Sequence, residues 1–251
     1  MPTDSSAAAQ AQSINQQLEL FDIYRRVPYL SVKHDSYFQV YEELLRPYVG
    51  KPITFVEIGI LHGGSLFMWR EYLGPQARII GVDLNPAARS WESHGFEIFV
   101  GDQADPAFWD AFYAQVGPID VLLDDGGHMN HQQIVTVEKA LEQVNDGGMI
   151  LVEDVHASYL PEFGNPSNYS FINYAKKAVD SINARFPAIH HAAGPDAIRR
   201  KAYSITFYES IVALRIDRRR SFVSSWASNG GAPHPEARDF RHEGAVRSVI
   251  F

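Results

Sequence analysis

Ile53-Thr54-Phe55-Val56-Glu57-Ile58-Gly59-Ile60-Leu61-His62-Gly63-Gly64-Ser65 is the stretch that decides the fold. An apolar run without clean alternation breaks into glycines. Such a run reads as a strand buried on both faces, and the glycines as a tight turn into a helix. The pattern returns at Ala77-Arg78-Ile79-Ile80-Gly81-Val82-Asp83, Phe96-Glu97-Ile98-Phe99-Val100, Ile119-Asp120-Val121-Leu122-Leu123-Asp124 and Gly148-Met149-Ile150-Leu151-Val152-Glu153. Helical spacing lies between, at Leu66 to Leu73 and at Ile134, Val137, Leu141 and Val144, the latter closed by Asp146-Gly147-Gly148 as a stop. Strands alternating with helices predict an α/β fold: a doubly wound, right-handed parallel sheet with helices on both faces.

Beyond the fifth strand the rhythm breaks. Leu160 to Ser167 reads as a loop, and Phe171, Ala175, Ala178, Val179, Ile182 and Phe186 mark one helix face. Tyr203–Phe207 and Ser210–Ile216 read as strands separated only by Tyr208-Glu209. So short a link permits only an antiparallel hairpin. The sheet is therefore expected to end in a reversed hairpin, seven strands in all. Towards the N-terminus, residues 1–13 read as a mobile tail and 14–50 as a helical cap. One helix starts at Ile14 and a second runs from Ser36 to Pro47. The tyrosine stripe of the second helix, with Tyr37 and Tyr41, is either packing surface or the lining of a substrate mouth. Residues 51–217 form the main domain. Residues 218–251 are read as an irregular tail packed on a neighbouring subunit, with a homodimer or homotetramer as the expected assembly.

Composition narrows the function. The chain has 251 residues, 45% hydrophobic and 21% charged, close to globular averages and ample for one core. Lys plus Arg number 22 against 30 Asp plus Glu, a formal charge of −8, which disfavours nucleic acid as a partner. No apolar stretch approaches the roughly 18 residues that span a membrane. Met1-Pro2-Thr3-Asp4-Ser5-Ser6 lacks a basic region followed by an apolar run, so no secretory signal is read and a cytoplasmic location is expected. There is no Cys, which excludes disulfides, thiolate metal sites and Cys nucleophiles.

Ligands of open α/β sheets bind where the strands end. The first strand delivers Glu57, then Gly59, Gly63 and Gly64, with Ser65 able to cap the next helix. Residue 61 is Leu, so the G-x-G-x-x-G of dinucleotide sites is absent. Asp83 ends the second strand, where a carboxylate can accept ribose hydroxyls. Gly101-Asp102-Gln103 follows the third, where an adenine can be hydrogen-bonded. Asp124-Asp125-Gly126-Gly127-His128 and Glu153-Asp154-Val155-His156 end the fourth and fifth. Asp125, Glu153 and Asp154 on neighbouring strand ends resist joint ionisation unless a cation sits among them. An oxygen-rich, thiolate-free set suits a hard divalent ion, Mg²⁺ first. His128 can serve beside it as general base. The bland alternative makes these acids helix caps and surface charges. His156 is a candidate substrate residue, while His131, His190 and His191 read as surface groups.

On these motifs the chain resembles the S-adenosylmethionine- and Mg²⁺-dependent O-methyltransferases that modify sugars of macrolides and related natural products, together with the cephalosporin hydroxylase-like proteins grouped with them. The resemblance runs from His34-Asp35-Ser36-Tyr37-Phe38 to Phe207-Tyr208-Glu209-Ser210-Ile211-Val212. It implies a Rossmann-like class I methyltransferase fold. It implies S-adenosylmethionine on Glu57, Gly59, Gly63, Ser65, Asp83, Asp102, Gln103 and Asp124. It further implies Mg²⁺ on Asp125, Glu153 and Asp154, His128 as base, and a small hydroxylated glycoside or polyketide-like acceptor. Two features depart from the family: Gly127 stands where Ser is frequent, and the N-terminal part has only two short helices. Rival readings are a catechol-type methyltransferase, a nicotinamide dehydrogenase on a similar sheet and a non-catalytic binding protein.

Overall fold

The computed structural model describes residues 18–163, 169–186, 194–219 and 230–231. Its strands are β1 (Thr54–Ile58), β2 (Arg78–Asp83), β3 (Glu97–Val100), β4 (Ile119–Asp124), β5 (Val144–Val152), β6 (Ala202–Tyr208) and β7 (Ile211–Ile216). Its helices are α1 (Glu19–Tyr24), α2 (Tyr37–Leu45), α3 (Gly64–Leu73), α4 (Pro106–Val116), α5 (Asn130–Gln143), α6 (Phe171–Asn183) and α7 (Asp196–Lys201). The strands form one seven-stranded sheet in the order β3-β2-β1-β4-β5-β7-β6. β1 to β5 are parallel, β7 runs antiparallel to β5, and β6 runs antiparallel to β7. The doubly wound sheet with a terminal hairpin is thus the fold the sequence predicts. Chain direction across the sheet reverses between β1 and β4, which opens a crevice at their C-terminal ends.

Both faces of the sheet are covered, which is why the strands lack a polar side. Phe55, Ile79, Val121, Leu123, Met149 and Leu151 point to one face and pack with Leu20, Phe38, Tyr41, Trp69 and Leu73 of α1 to α3. Their neighbours Val56, Ile80, Leu122, Ile150 and Val152 point to the other, against Trp109, Phe112, Val137, Leu141, Phe171 and Ile198 of α4 to α7. The two-residue period of a strand sends alternate apolar side chains to opposite cores.

Several boundaries move. Val144 caps α5 and at once begins β5, pairing with Ile119, so strand follows helix with no loop between. Asp146-Gly147-Gly148 therefore lies inside a strand, and Arg218 ties it down: Arg218 N and Nη1 donate to Asp146 Oδ1 at 2.9 and 2.8 Å. The hairpin link is Glu209-Ser210, one residue later than read, with Ser210 at φ 62°. α4 has a 3–4 spacing of buried Trp109, Phe112, Tyr113 and Val116 that marks it as a helix, N-capped by Asp105. α6 ends at Asn183, short of Phe186, and Val179 is exposed on it, so the buried stripe is the narrower Phe171, Ile172, Ala175 and Ala178. The expected 1–13 tail and His190 and His191 lie outside the described residues, as does all but 218–219 and 230–231 of the expected 218–251 tail. Among the described residues no helix is long and apolar enough to cross a membrane.

Candidate active site

A cleft of about 700 Å³ opens at the strand ends where the chain direction reverses. Gly59, Ser65, Asp83, Asp102, Gln103, Asp125, His128 and Asp154 line it, together with Trp91 and the Ser31-Val32 segment. Gly59 sits at φ 80°, and a Cβ there would run into the backbone carbonyl of Asp125. Only glycine lets the β1 turn lie against the β4 turn this closely. Gly63, at φ 73°, is the N-cap of α3 and lies under the indole of Trp91. Ser65 does not cap that helix. Its hydroxyl donates to Glu57 Oε2 at 2.7 Å.

The carboxylates behave differently from one another. Asp83 reaches the cleft with both oxygens already accepting backbone N–H groups: Ile60 N at 3.1 Å and Asn85 N at 2.8 Å. Each oxygen keeps a second lone pair for a ligand hydroxyl. Asp102 accepts from Ala104 N at 2.8 Å, which fixes the β3 turn. Gln103 is engaged at both ends of its amide. Nε2 donates to Asp124 Oδ1 at 2.9 Å and Oε1 accepts from Gly127 N at 2.8 Å. Asp124 itself is buried and stands outside the cleft lining, and burial pushes its carboxyl up to about 6. Glu57 is also buried away from the cleft, with its carboxyl raised by burial against the opposing pull of Lys33. Gln103 and Asp124 thus brace the β3 and β4 turns, and Glu57 braces β1 from behind.

Asp125, His128 and Asp154 each present a ligand atom within 4.8 Å of the others. His128 Nε2 is 3.5 Å from Asp154 Oδ2. The buried His128 Nδ1 has no hydrogen-bond partner among the described residues. His128 and Asp154 hold left-handed backbone conformations at φ 56° and 53°. Such φ values in non-glycine residues cost about 1–3 kcal/mol each and gather at functional sites. Two carboxylates, one imidazole and no sulfur match a hard divalent ion, so the residues present fit the metal expected from the sequence. Glu153 points elsewhere. It is buried, accepts from Tyr41 Oη at 2.5 Å, and faces Lys33. Burial raises its carboxyl well above the ordinary value, with Lys33 opposing and Asp125 reinforcing the shift.

Tyr37 and Tyr41 are buried and do not line the cleft, so they form no substrate mouth. Tyr37 Oη donates to Asp154 Oδ1 at 2.5 Å, and both phenols hold the acids from behind. His156 is half exposed at the rim, 2.5 Å from Ser210 Oγ and 3.8 Å from Asp154. His34 reaches the same Asp154 Oδ1 at 3.7 Å, its ring edge-on to that of His156 with centroids 6.0 Å apart. At Gly127 a side chain would collide with the Gln132 carboxamide, so Gln132 fills the place a residue-127 hydroxyl would take.

Sequence reading missed Lys33. Its Nζ lies 2.6 Å from Asp125 Oδ2, 3.3 Å from Glu57 Oε1 and 3.3 Å from Glu153 Oε2, with the side chain only 2% exposed. Burial alone would lower its ammonium pKa, yet Asp125, Glu153 and Glu57 together hold it well above the ordinary value. A single Lys in a loop carries no periodic signal. The one available hint was the unmet demand for a cation among these acids.

Residues 56–155 match a family model described as a methyltransferase domain. The 8-demethyl-8-alpha-L-rhamnosyl tetracenomycin-C 2'-O-methyltransferase of Streptomyces olivaceus is 28% identical over 218 residues, 80% of this chain and 55% of the relative. Demethylmacrocin O-methyltransferase of Streptomyces fradiae is 28% identical over 213 residues, 80% of this chain and 51% of that protein. The chain therefore spans about half the length of the curated relatives it matches. Among solved structures, MycE methyltransferase from the mycinamycin biosynthetic pathway, in complex with Mg and SAH, has the same fold. It superposes with a TM-score of 0.71 at 23% identity, covering 83% of this chain and 56% of MycE. Residues 56–155 are thus similar to a methyltransferase domain, and the chain that carries them resembles, over 80% of its length, O-methyltransferases of the tetracenomycin and macrocin type.

Proposed function

We propose that this protein is an S-adenosylmethionine-dependent, divalent-metal-dependent O-methyltransferase acting on a hydroxyl of a sugar or other natural-product acceptor. The observation that carries the reading is the single cleft wall on which Asp83 and Asp102 stand beside the Asp125, His128 and Asp154 set. The name of the Streptomyces olivaceus relative, a rhamnosyl tetracenomycin-C 2'-O-methyltransferase, supports the substrate class. MycE's complex with Mg and SAH supports the two bound groups. The absence of G-x-G-x-x-G, with Leu61 in its second glycine position, speaks against a nicotinamide dehydrogenase.

Asp125 and Asp154 would hold Mg²⁺, with Glu153 one backbone step away and His128 beside them, its Nε2 lone pair left for a proton. Asp83 and Asp102 would hold the methyl donor, on a turn kept open by Gly59. Bound there, a divalent ion lowers the pKa of an acceptor hydroxyl and the sulfonium supplies an electrophilic methyl. The chain's own residues do the rest. Asp83 orients the donor through its free lone pairs. His128 Nε2 receives the hydroxyl proton as general base. Tyr37 and Tyr41 keep Asp154 and Glu153 fixed, so that little reorganisation accompanies the reaction. His156 at the rim is placed to meet the acceptor. A homodimer or homotetramer is the proposed assembly.

The test is a turnover assay with methyl-labelled donor, Mg²⁺ and a panel of rhamnosylated and deoxyhexosylated polyketides. A mass gain of one CH₂ on the sugar, abolished by EDTA and restored by Mg²⁺, is expected. Methyl transfer undiminished by exhaustive chelation would refute the metal requirement.

A further inference from the structure

We infer that Lys33 is the resident cation of the strand-end acid cluster and sets how tightly a divalent ion is held beside it. The inference rests on the metal site proposed above. Its basis is the meeting of three carboxylates from three adjacent strand ends on one buried ammonium. Glu57 comes from β1, Asp125 follows β4 and Glu153 follows β5. Glu57 and Glu153 are 0% and 1% exposed, so neither charge can be met by water. Buried charges persist only when paired and hydrogen-bonded. Ser65 Oγ donates to Glu57 Oε2 at 2.7 Å and Tyr41 Oη to Glu153 Oε1 at 2.5 Å, while the buried Glu57 Oε1 is met, among the described residues, by the Lys33 ammonium alone, at 3.3 Å.

Asp125 is the shared member. Its Oδ2 accepts from Lys33 at 2.6 Å, while the same carboxylate belongs to the set with His128 and Asp154. The ammonium therefore occupies one Asp125 lone pair and offsets part of the negative charge that would draw in a divalent ion. It also holds Glu153 towards the interior, where both carboxylate oxygens lie within 3.4 Å of Nζ. Lys33 extends from the segment whose Ser31 and Val32 line the cleft, so one side chain couples the cleft wall to the acids. It keeps the acid cluster assembled before a metal arrives and keeps metal binding moderate. Lys33 is a positioning residue, acting through Asp125.

The probe is Mn²⁺ alone, titrated into the full chain by calorimetry and by electron paramagnetic resonance, with Tm recorded with and without the ion. Lys33→Met is expected to bind Mn²⁺ at least about tenfold more tightly than wild type, because the acids lose their internal counter-charge. Its metal-free Tm should fall, and its Tm rise on adding Mn²⁺ should exceed that of wild type. Lys33→Arg, which keeps the charge, should stay near wild-type affinity. Glu57→Gln, which leaves the ammonium less compensated and lies outside the Asp125, His128 and Asp154 set, should weaken Mn²⁺ binding severalfold. Unchanged or weaker Mn²⁺ binding by Lys33→Met would overturn the inference while leaving the metal site standing. Binding by Lys33→Met alone would uphold Lys33 as resident cation and remove the metal from the wild-type reading. Binding by neither would remove both. If Lys33→Met does not fold under any condition, Glu57→Gln decides, and unchanged affinity in that variant overturns the inference.

Discussion

His128 Nε2 and Asp154 Oδ2 stand 3.5 Å apart, each on a residue forced into a left-handed backbone conformation at the end of its strand. The distance is too long for a strong hydrogen bond but short enough for both atoms to grip a common ion or to share a substrate proton.

His128→Ala removes the proposed base. Loss of a positioned general base costs about 10²–10⁴ in rate. kcat should fall by that amount with SAH affinity unchanged, as read by steady-state kinetics and calorimetry. Wild-type kcat in this variant would exclude His128 as the base.

Asp125→Asn keeps the shape of the side chain but removes one charge shared between Lys33 and the proposed metal set. Activity should be lost at ordinary Mg²⁺ concentrations and Mn²⁺ affinity should fall at least tenfold. SAH should still bind, because its proposed contacts lie on β1 to β3. Retained Mn²⁺ affinity would take Asp125 out of the site.

Gly59→Ala places a Cβ against the Asp125 carbonyl at a positive φ. Strain of this kind costs about 1–3 kcal/mol. A fall of several degrees in Tm is expected, together with weaker SAH binding, since the β1 and β4 turns must separate. A variant as stable as wild type with full affinity would show that the turn tolerates a side chain.

Stability should depend on acid pH through Asp146. The backbone N–H of Arg218, and then its guanidinium, hold this carboxyl below its usual range. A depressed carboxylate stabilises the fold above the unfolded pKa of about 3.9 and loses that contribution as pH falls through the folded value. Wild type should therefore exceed Asp146→Asn in Tm at pH 6, and the gap should close towards pH 3. A gap independent of pH would assign the effect to packing.

The strand runs were legible because a buried parallel strand has one simple signature, and the terminal antiparallel hairpin followed from the short link read at Tyr208-Glu209. The Val144 boundary was not, because Asp146-Gly147-Gly148 reads as a helix stop unless its tie to Arg218 is known. Strand-end acids were legible as a group, since neighbouring parallel strands must bring their ends together. Their division was not. Whether Glu153 faces the cleft or the interior depends on Lys33, 120 residues away in sequence, and on Tyr41 on a separate helix. Long-range pairing of single residues leaves no periodic trace. The same holds for Tyr37 and Tyr41, whose spacing marks a buried face but cannot reveal that their hydroxyls reach acids.

The most direct test of the central claim is calorimetric titration of SAH into wild type and into Asp83→Ala. The charge-assisted hydrogen bonds proposed for Asp83 would be worth about 1.5–3 kcal/mol each, so affinity should drop well over tenfold in the variant. Wild-type protein should bind SAH and show no heat with a nicotinamide dinucleotide. Failure of wild type to bind SAH, or binding that Asp83→Ala leaves untouched, would contradict the assignment of this cleft to a methyl donor.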